Sequence, residues 1–237
     1  MKIEADLHTH TIASGHAYST VREMAQAAAG RGLKLIAITD HGPLLPGGPH
    51  EYYFGNIKVL PDYIAGVRVL KGVEANIMSD GSLDLSTDYL DKLEFIAAGI
   101  HEDAGYYNQN RTAHTEATIR AIMNPRVKMI THPANLYYPI EIEAVVRAAR
   151  EHDVILEVNA SSFDSYRVNK RGSKELTLKM CKLARKYGVP VSLNSDAHYY
   201  EDVGNIKAIL PIVEEAGLKE SDIINTSLEL LNKVIDF

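Results

Sequence analysis

A disulfide framework is excluded at the outset, because the 237-residue sequence holds one cysteine, Cys181, and a single thiol closes no internal bridge. Cys181 falls in a helical pattern and is expected in the core of a chain suited to a reducing cytoplasm. Long apolar runs are also missing, since none approaches the ~18 residues that a membrane-spanning helix requires. The N-terminus enters an extended apolar segment directly, with no basic stretch and apolar h-region, so no secretory signal is expected. Positive charge is scarce as well. With 25 Lys and Arg against 31 Asp and Glu, the net charge of −6 argues against a nucleic-acid partner, because such a face carries clustered basic residues. Only Arg167, Lys170 and Arg171 cluster, and three local positives on an acidic chain suit a small anion better than a polymer.

What is present describes an ordinary soluble globular protein, 46% apolar and 24% charged. The length fits a single domain over residues 1–237 with a substantial core. No membrane partner is expected, and the pattern leaves open whether copies associate as a homo-oligomer.

Seven short apolar segments, at 3–7, 33–39, 67–73, 95–100, 127–131, 154–158 and 191–195, read as strands with the near-continuous apolar character of parallel sheets. Helical patterns lie between most of them, at 20–31 with Ser19 or Thr20 as N-cap, 112–123, 142–151, and 173–187 with Ser173 as N-cap and Gly188 past the end. Two more are expected at 203–216 and 222–234, while 42–55 reads as an irregular loop and 79–94 as a short helix or a loop. This alternation implies an α/β fold in which seven units close into a TIM-like barrel.

Ligands of such barrels bind at the carboxyl ends of the strands, where the βα loops converge. Six of the seven expected strands end in residues that ligate metals: His8 and His10, His41, Glu74, His101, His132, then Asp196 and His198, with His16 in the first loop. The remaining strand ends at Asn159, polar enough to orient a substrate. One strand-end histidine is more often a hydrogen-bonding loop residue than a ligand, but seven of ten histidines on one face is the raw material of a Zn, Mn or Fe centre. His50, His114 and His152 fall in a loop and in helices and are read as structural. Asp6, Asp40 and Asp164 are read as orienting or turn residues.

These residues resemble a known family. His8-x-His10, Thr39-Asp40-His41, Glu74 in Gly72-Val73-Glu74, His101, His132-Pro133 and Ser195-Asp196-x-His198 match in order the four motifs of the PHP (polymerase and histidinol phosphatase) superfamily. The segment Asn159-Ala160-Ser161-Ser162-Phe163 is similar to its stand-alone, YcdX-like phosphatase branch. The resemblance implies a distorted seven-stranded barrel, a single PHP domain, and three divalent metals, zinc foremost with Mn or Fe as substitutes. It implies one metal on His8, His10, Glu74 and Asp196, a second on Glu74, His101 and His132, and a third on His16, His41 and His198. Nine side chains with Glu74 bridging leave open positions on such ions, as catalytic sites require. Three divalent ions against two carboxylates leave about +4, which favours a phosphate dianion. The expected activity is hydrolysis of a small phosphorylated substrate by a metal-bound hydroxide. Glu74 and Asp196 are the catalytic carboxylates of this reading, and Asn159, Arg167, Lys170 and Arg171 its substrate contacts. An amidohydrolase-like metal hydrolase is the second reading, weakened by the lack of a strand-end lysine. A PHP nuclease or idle metal-binding module is the third.

Overall fold

The computed structural model describes residues 1–106, 109–164, 172–235 and 237. In chain order its elements are β1 (Ala5–Thr9), α1 (Val21–Gly30), β2 (Leu35–Ile38), α2 (Tyr52–Asn56), β3 (Tyr63–Ile64), β4 (Val67–Asn76), α3 (Thr87–Leu90) and β5 (Phe95–Gly99). There follow α4 (Arg111–Ile122), β6 (Val127–Ile130), α5 (Ile142–Glu151), β7 (Ile155–Asn159), α6 (Lys174–Tyr187), β8 (Val191–Asn194), α7 (Leu210–Ala216) and α8 (Leu228–Leu231). Local chemistry sets several boundaries. Thr20 and Glu23 form a capping box at the start of α1, while α6 begins on the Ser173 hydroxyl and ends where Gly188 adopts φ 70°.

Seven strands pair in parallel in the order β1-β2-β4-β5-β6-β7-β8, with β3 antiparallel on β4. The ends of the sheet meet through a parallel bridge between Thr9 and Ala197 and through the Leu7 N–H, which donates to Asn194 Oδ1 at 3.1 Å. The result is a nearly closed barrel with helices outside.

Inward-facing Ala5, Leu7, Leu35, Ala37, Leu70, Phe95, Ala97, Met129 and Ile155 form one apolar cluster, joined by Ile224, Leu231 and Ile235 from the C-terminal segment. A second cluster packs the outer strand faces against the helices. Side chains alternate along a strand, so two residues beyond these apolar positions the inward ones are Glu157, Gly99 and Thr131, and four beyond Leu70 is Glu74. The barrel is apolar at one end and polar at the carboxyl ends of its strands.

β1 departs from strict alternation. Its register on β2 shifts between Asp6 and Thr9, where the pairing moves from Asp6–Ile36 to Thr9–Ile38. That one-residue bulge lets Leu7 join the interior cluster and His8 and His10 turn to the same inward side. Asp6 is then left facing Ser195 and the Gly204 N–H.

Three sequence expectations need correction. β4 runs through Glu74 to Asn76 rather than stopping at Glu74, because Asn76 still pairs with Gly99 of β5. The helix expected over 203–216 begins only at Leu210, with Pro211 in its first turn and Gly204 at φ 71° before it. The pattern over 222–234 is broken. Asn225 Nδ2 donates to the carbonyls of Ala5 and Leu193, and its Oδ1 accepts from the Leu193 N–H, so only Leu228–Leu231 is α-helical there. The loop over 42–55 contains the start of α2, and the 79–94 connection holds α3. Among the described residues no helix is long and apolar enough to cross a membrane.

Candidate metal centre

Glu74 stands in the middle of the polar end. Its Oε2 lies 3.2 Å from His8 Nε2, 3.5 Å from His10 Nε2 and 2.9 Å from His41 Nδ1. Its Oε1 faces the other way, 3.4 Å from His101 Nε2 and 2.9 Å from His132 Nε2. Asp196 Oδ1 lies 3.1 Å from His10 Nε2 and 3.4 Å from His198 Nδ1. His16 Nε2 is 3.0 Å from His198 Nε2. The nine strand-end and loop residues therefore converge on one site, and seven of them, His16 and His198 excepted, are buried.

Three overlapping groups have ligand atoms mutually within 4.8 Å: His8, His10 and Glu74; His41, Glu74 and His101; and His10, His41 and His198. His8 Nε2 and His10 Nε2 are buried and make no hydrogen bond, although such groups are ordinarily satisfied. A donor set of neutral imidazoles, carboxylates and orphaned ring nitrogens fits divalent transition metals. Burial opposes charge on His8, but Glu157, Glu74 and Asp196 outweigh it and raise its pKa well above the usual value. The surroundings therefore attract a cation.

Strained backbone aims two of these residues. His132 has φ 34° and Asp196 φ 54°, a region that non-glycine residues adopt at a cost of about 1–2 kcal/mol. Gly99 passes just beneath: a Cβ there would lie 2.8 Å from His132 Cε1 and 3.2 Å from Glu74 Oε1. A side chain at that position would enter the site.

Sequence reasoning missed the residues that hold the ligands. Glu157, fully buried on β7, places Oε1 2.7 Å from His8 Nδ1 and accepts from the His132 N–H at 2.7 Å with Oε2. Burial raises its pKa, yet His8 and His132 outweigh that and keep it below the usual carboxylate value. Its signal was a lone acid in the run Ile155-Leu156-Glu157-Val158, at an inward position. The Ser14 hydroxyl joins His10 Nδ1, at 3.2 Å, to Asp40, and Asn76 Oδ1 meets His101 Nδ1 at 2.8 Å. Asp40 also accepts from Tyr53 and Thr11, so it is an orienting residue as expected.

Asn159 donates to Glu157 Oε2 and Asp196 Oδ2, while its Oδ1 accepts from Ser161 and Ser162. Its amide is hydrogen-bonded within the protein at both ends. His50 accepts from the Tyr52 N–H, and His114 is buried in α4 between the Pro139 carbonyl and the Gln109 N–H. His152 caps α5. Arg167, Lys170 and Arg171 lie outside the described residues.

Two cavities flank the centre. One of about 430 Å³ runs past His16 and His198 to Tyr18, Tyr199, Asp202 and Lys207. The other, about 200 Å³, lies against His16, His41 and His101. A further cavity, about 710 Å³, is lined by Lys128, Arg150 and Arg185 and touches none of the nine residues.

Comparison with known proteins agrees with this geometry. The family model described as PHP domain matches residues 6–164, and one described as PHP-associated matches residues 178–226. A probable phosphatase of Caldanaerobacter subterraneus is 44% identical over 236 residues, covering 99% of this chain and 92% of that protein. A probable phosphatase of Acetivibrio thermocellus is 43% identical, with 99% and 96% covered. Among solved structures, histidinol phosphate phosphatase of Lactococcus lactis, complexed with zinc, L-histidinol and phosphate, superposes with a TM-score of 0.63 at 16% identity, covering 92% of this chain and 95% of that one. That likeness concerns the fold, whereas the sequence matches concern descent. The chain belongs to the PHP family, in the stand-alone YcdX-like group whose curated members are named probable phosphatases.

Proposed function

We propose that this protein is a metal-dependent phosphatase acting on a small phosphorylated substrate, and that His8, His10, His16, His41, Glu74, His101, His132, Asp196 and His198 hold three divalent ions in one domain spanning residues 1–237. The carrying observation is the two-sided carboxylate of Glu74, with three imidazoles before one oxygen and two before the other. That arrangement serves one ligand shared between ions, and with Asp196 it supplies the catalytic carboxylates. Zinc suits the donor set, and Mn or Fe is compatible with it.

When bound, divalent ions supply a nucleophile from water at neutral pH and offset the charge of a phosphoryl group. The chain's own residues hold that arrangement. Glu157, accepting from His8 Nδ1–H, leaves Nε2 as the lone-pair nitrogen facing the centre. Ser161 and Asn159 hold Asp196 Oδ2 so that Oδ1 points at the imidazoles. Three divalent ions against Glu74, Asp196 and the adjoining Glu157 leave about +3, which still favours a dianion. Arg167, Lys170 and Arg171, which fall between β7 and α6 in the sequence, add a cationic grip in this reading. The amidohydrolase-like reading finds no inward strand lysine among the described residues: Lys71 of β4 pairs with Asp62 and Glu94.

Metal analysis of the purified protein coupled to a phosphomonoester panel tests the reading. Two to three equivalents per chain are expected, with turnover lost on chelation and restored by zinc or manganese. No more than one equivalent after supplementation, or no hydrolysis by the loaded protein, would overturn it.

A further inference from the structure

The connection after β4 carries an aspartate, Asp84, that is not among the nine ligand residues yet reaches two segments that bear them. Residues 77–83 fold back on themselves: Ile77 and Leu83 pair antiparallel, the Met78 N–H donates to the Ser82 carbonyl, and the Asp84 N–H donates to the Asn76 carbonyl at 3.1 Å. Asp84 is thereby returned to the side of Asn76, at the carboxyl end of β4. Its Oδ1 accepts from the Asn76 backbone N–H at 2.8 Å, and its Oδ2 accepts from the Leu44 N–H at 3.0 Å and from Asn76 Nδ2. A Cβ on Gly42, the residue after His41, would lie 2.2 Å from Asp84 Oδ1, so the carboxylate fills space that only glycine leaves. Burial raises the Asp84 pKa, and the N–H groups of Leu44 and Asn76 oppose that rise. An acid withdrawn from water in this way is costly, which points to a role for its acceptor oxygens.

That role is visible in the Asn76 side chain, which is fully buried. An ionised carboxylate only accepts, so the amide group facing Asp84 is the NH2, and Asn76 Oδ1 faces His101 Nδ1 at 2.8 Å. An amide oxygen also only accepts. In the neutral ring that a metal ligand must be, His101 then carries its proton on Nδ1 and turns Nε2 toward Glu74 Oε1, 3.4 Å away. Resting on the metal-dependent reading, we propose that Asp84 is a positioning residue of the centre: it locks the Asn76 amide, and through it the ring nitrogen that His101 offers to an ion shared with Glu74. Released from Asp84, the amide would be free to rotate by half a turn, present its NH2 group to His101 and favour the other tautomer. The Leu44 N–H on the same carboxylate ties the segment after His41 to this lock.

Chelator competition on the zinc-loaded protein, with elemental analysis beside it, tests this. Asp84→Ala should weaken the binding of one ion by about 10–100-fold, and Asp84→Asn, which keeps one acceptor oxygen, should fall between it and wild type. Asn76→Ala should weaken the same ion, and adding Asp84→Ala to it should cost little more, because the two residues act in series. NMR of loaded protein carrying isotope-labelled histidine should place the His101 proton on Nδ1, with a fraction moved to Nε2 in Asp84→Ala. Asp80→Asn, in the same connection but bonded to Ser82, should leave metal binding unchanged. Gly42→Ala, at a position that requires no positive φ, displaces the same carboxylate and replaces Asp84→Ala if that variant fails to fold. Equal affinity and an unaltered His101 tautomer in these variants, or losses that add in full in the double variant, would overturn the proposal and leave the metal reading standing. Wild-type protein holding no more than one ion after supplementation would overturn both.

Discussion

Glu157 Oε1 lies 2.7 Å from His8 Nδ1, with both side chains fully buried inside the barrel. An ionised carboxylate only accepts, so in the neutral ring that a metal ligand must be the proton is held on Nδ1, and Nε2 is left to face Glu74 and Asp196. Because Glu157 also accepts from the His132 N–H and from Asn194 Nδ2, it ties β1, β6 and β8 to one carboxylate on β7.

Glu157→Gln should therefore weaken metal binding by about 10–100-fold, because the amide keeps the shape but not the charge or the full acceptor capacity. Chelator competition measures this directly. Glu157→Ala should add a loss of stability of about 1–3 kcal/mol from the polar groups left unpaired, read as a lower Tm. Metal affinity identical in wild type and the Gln variant would show that His8 needs no such partner.

Glu74→Ala should remove metal and activity together, since five imidazoles face its two oxygens. His152→Ala, at an exposed helix end, should leave both intact. His114→Ala should cost about 1–3 kcal/mol of stability, because it removes a buried, packed ring and the acceptor of the Gln109 N–H, with metal content retained. Elemental analysis beside thermal unfolding distinguishes the three, and equal metal content in all three variants would contradict the placement of Glu74.

Metal removal should lower Tm, since ions that bind only the folded chain stabilise it by mass action, by about 4 kcal/mol at a thousand times Kd. Imidazole ligands must be neutral to bind, so acid should release metal before it unfolds the chain. Calorimetry of loaded and chelated protein between neutral and acid pH checks both. Coincident Tm values at neutral pH would mean that the centre folds fully without its ions.

The strand ends were legible because six of the seven buried strands are apolar runs followed by a histidine or an acid, and the seventh stops at Asn159. Glu157 was not, because its single charge sits inside such a run, and only the inward side of β7 reveals where it points. The β1 bulge was equally hidden: alternation alone puts His8 opposite Leu7, and the pairing with β2 alone shows the extra residue. At the C-terminus an apolar periodicity suggested long helices, but Asn225 satisfies strand backbone and breaks one of them. Local propensity there yields to a tertiary hydrogen bond.

Cys181 supplies a test of the core. Burial on α6 pushes its thiol up to about 12, and it is fully buried. At pH 8 only roughly one thiol in ten thousand would be thiolate, so a disulfide reagent should label the folded chain only through opening of the α6 region. Labelling that is rapid in native protein and no faster in denaturant would contradict this packing.

The cationic loop is the remaining prediction, and it concerns Arg167, Lys170 and Arg171. In sequence the three follow Asp164, which lines the 430 Å³ cavity beside His16 and His198, and precede Gly172, which pairs with Asn135. Three positive charges lie between these two residues in the sequence. Lys207 already lines the same cavity, so the loop would add to an existing cation. Neutralising the residue that contacts phosphate should reduce kcat/KM by about 1–3 kcal/mol with metal content unchanged. Arginine should matter more than lysine where the contact is bidentate. Kinetics of Arg167→Ala, Lys170→Ala, Arg171→Ala and Lys207→Ala on one phosphomonoester decide the matter. Wild-type values for the first three with a loss for Lys207→Ala would move the anion grip from the loop to the segment before α7.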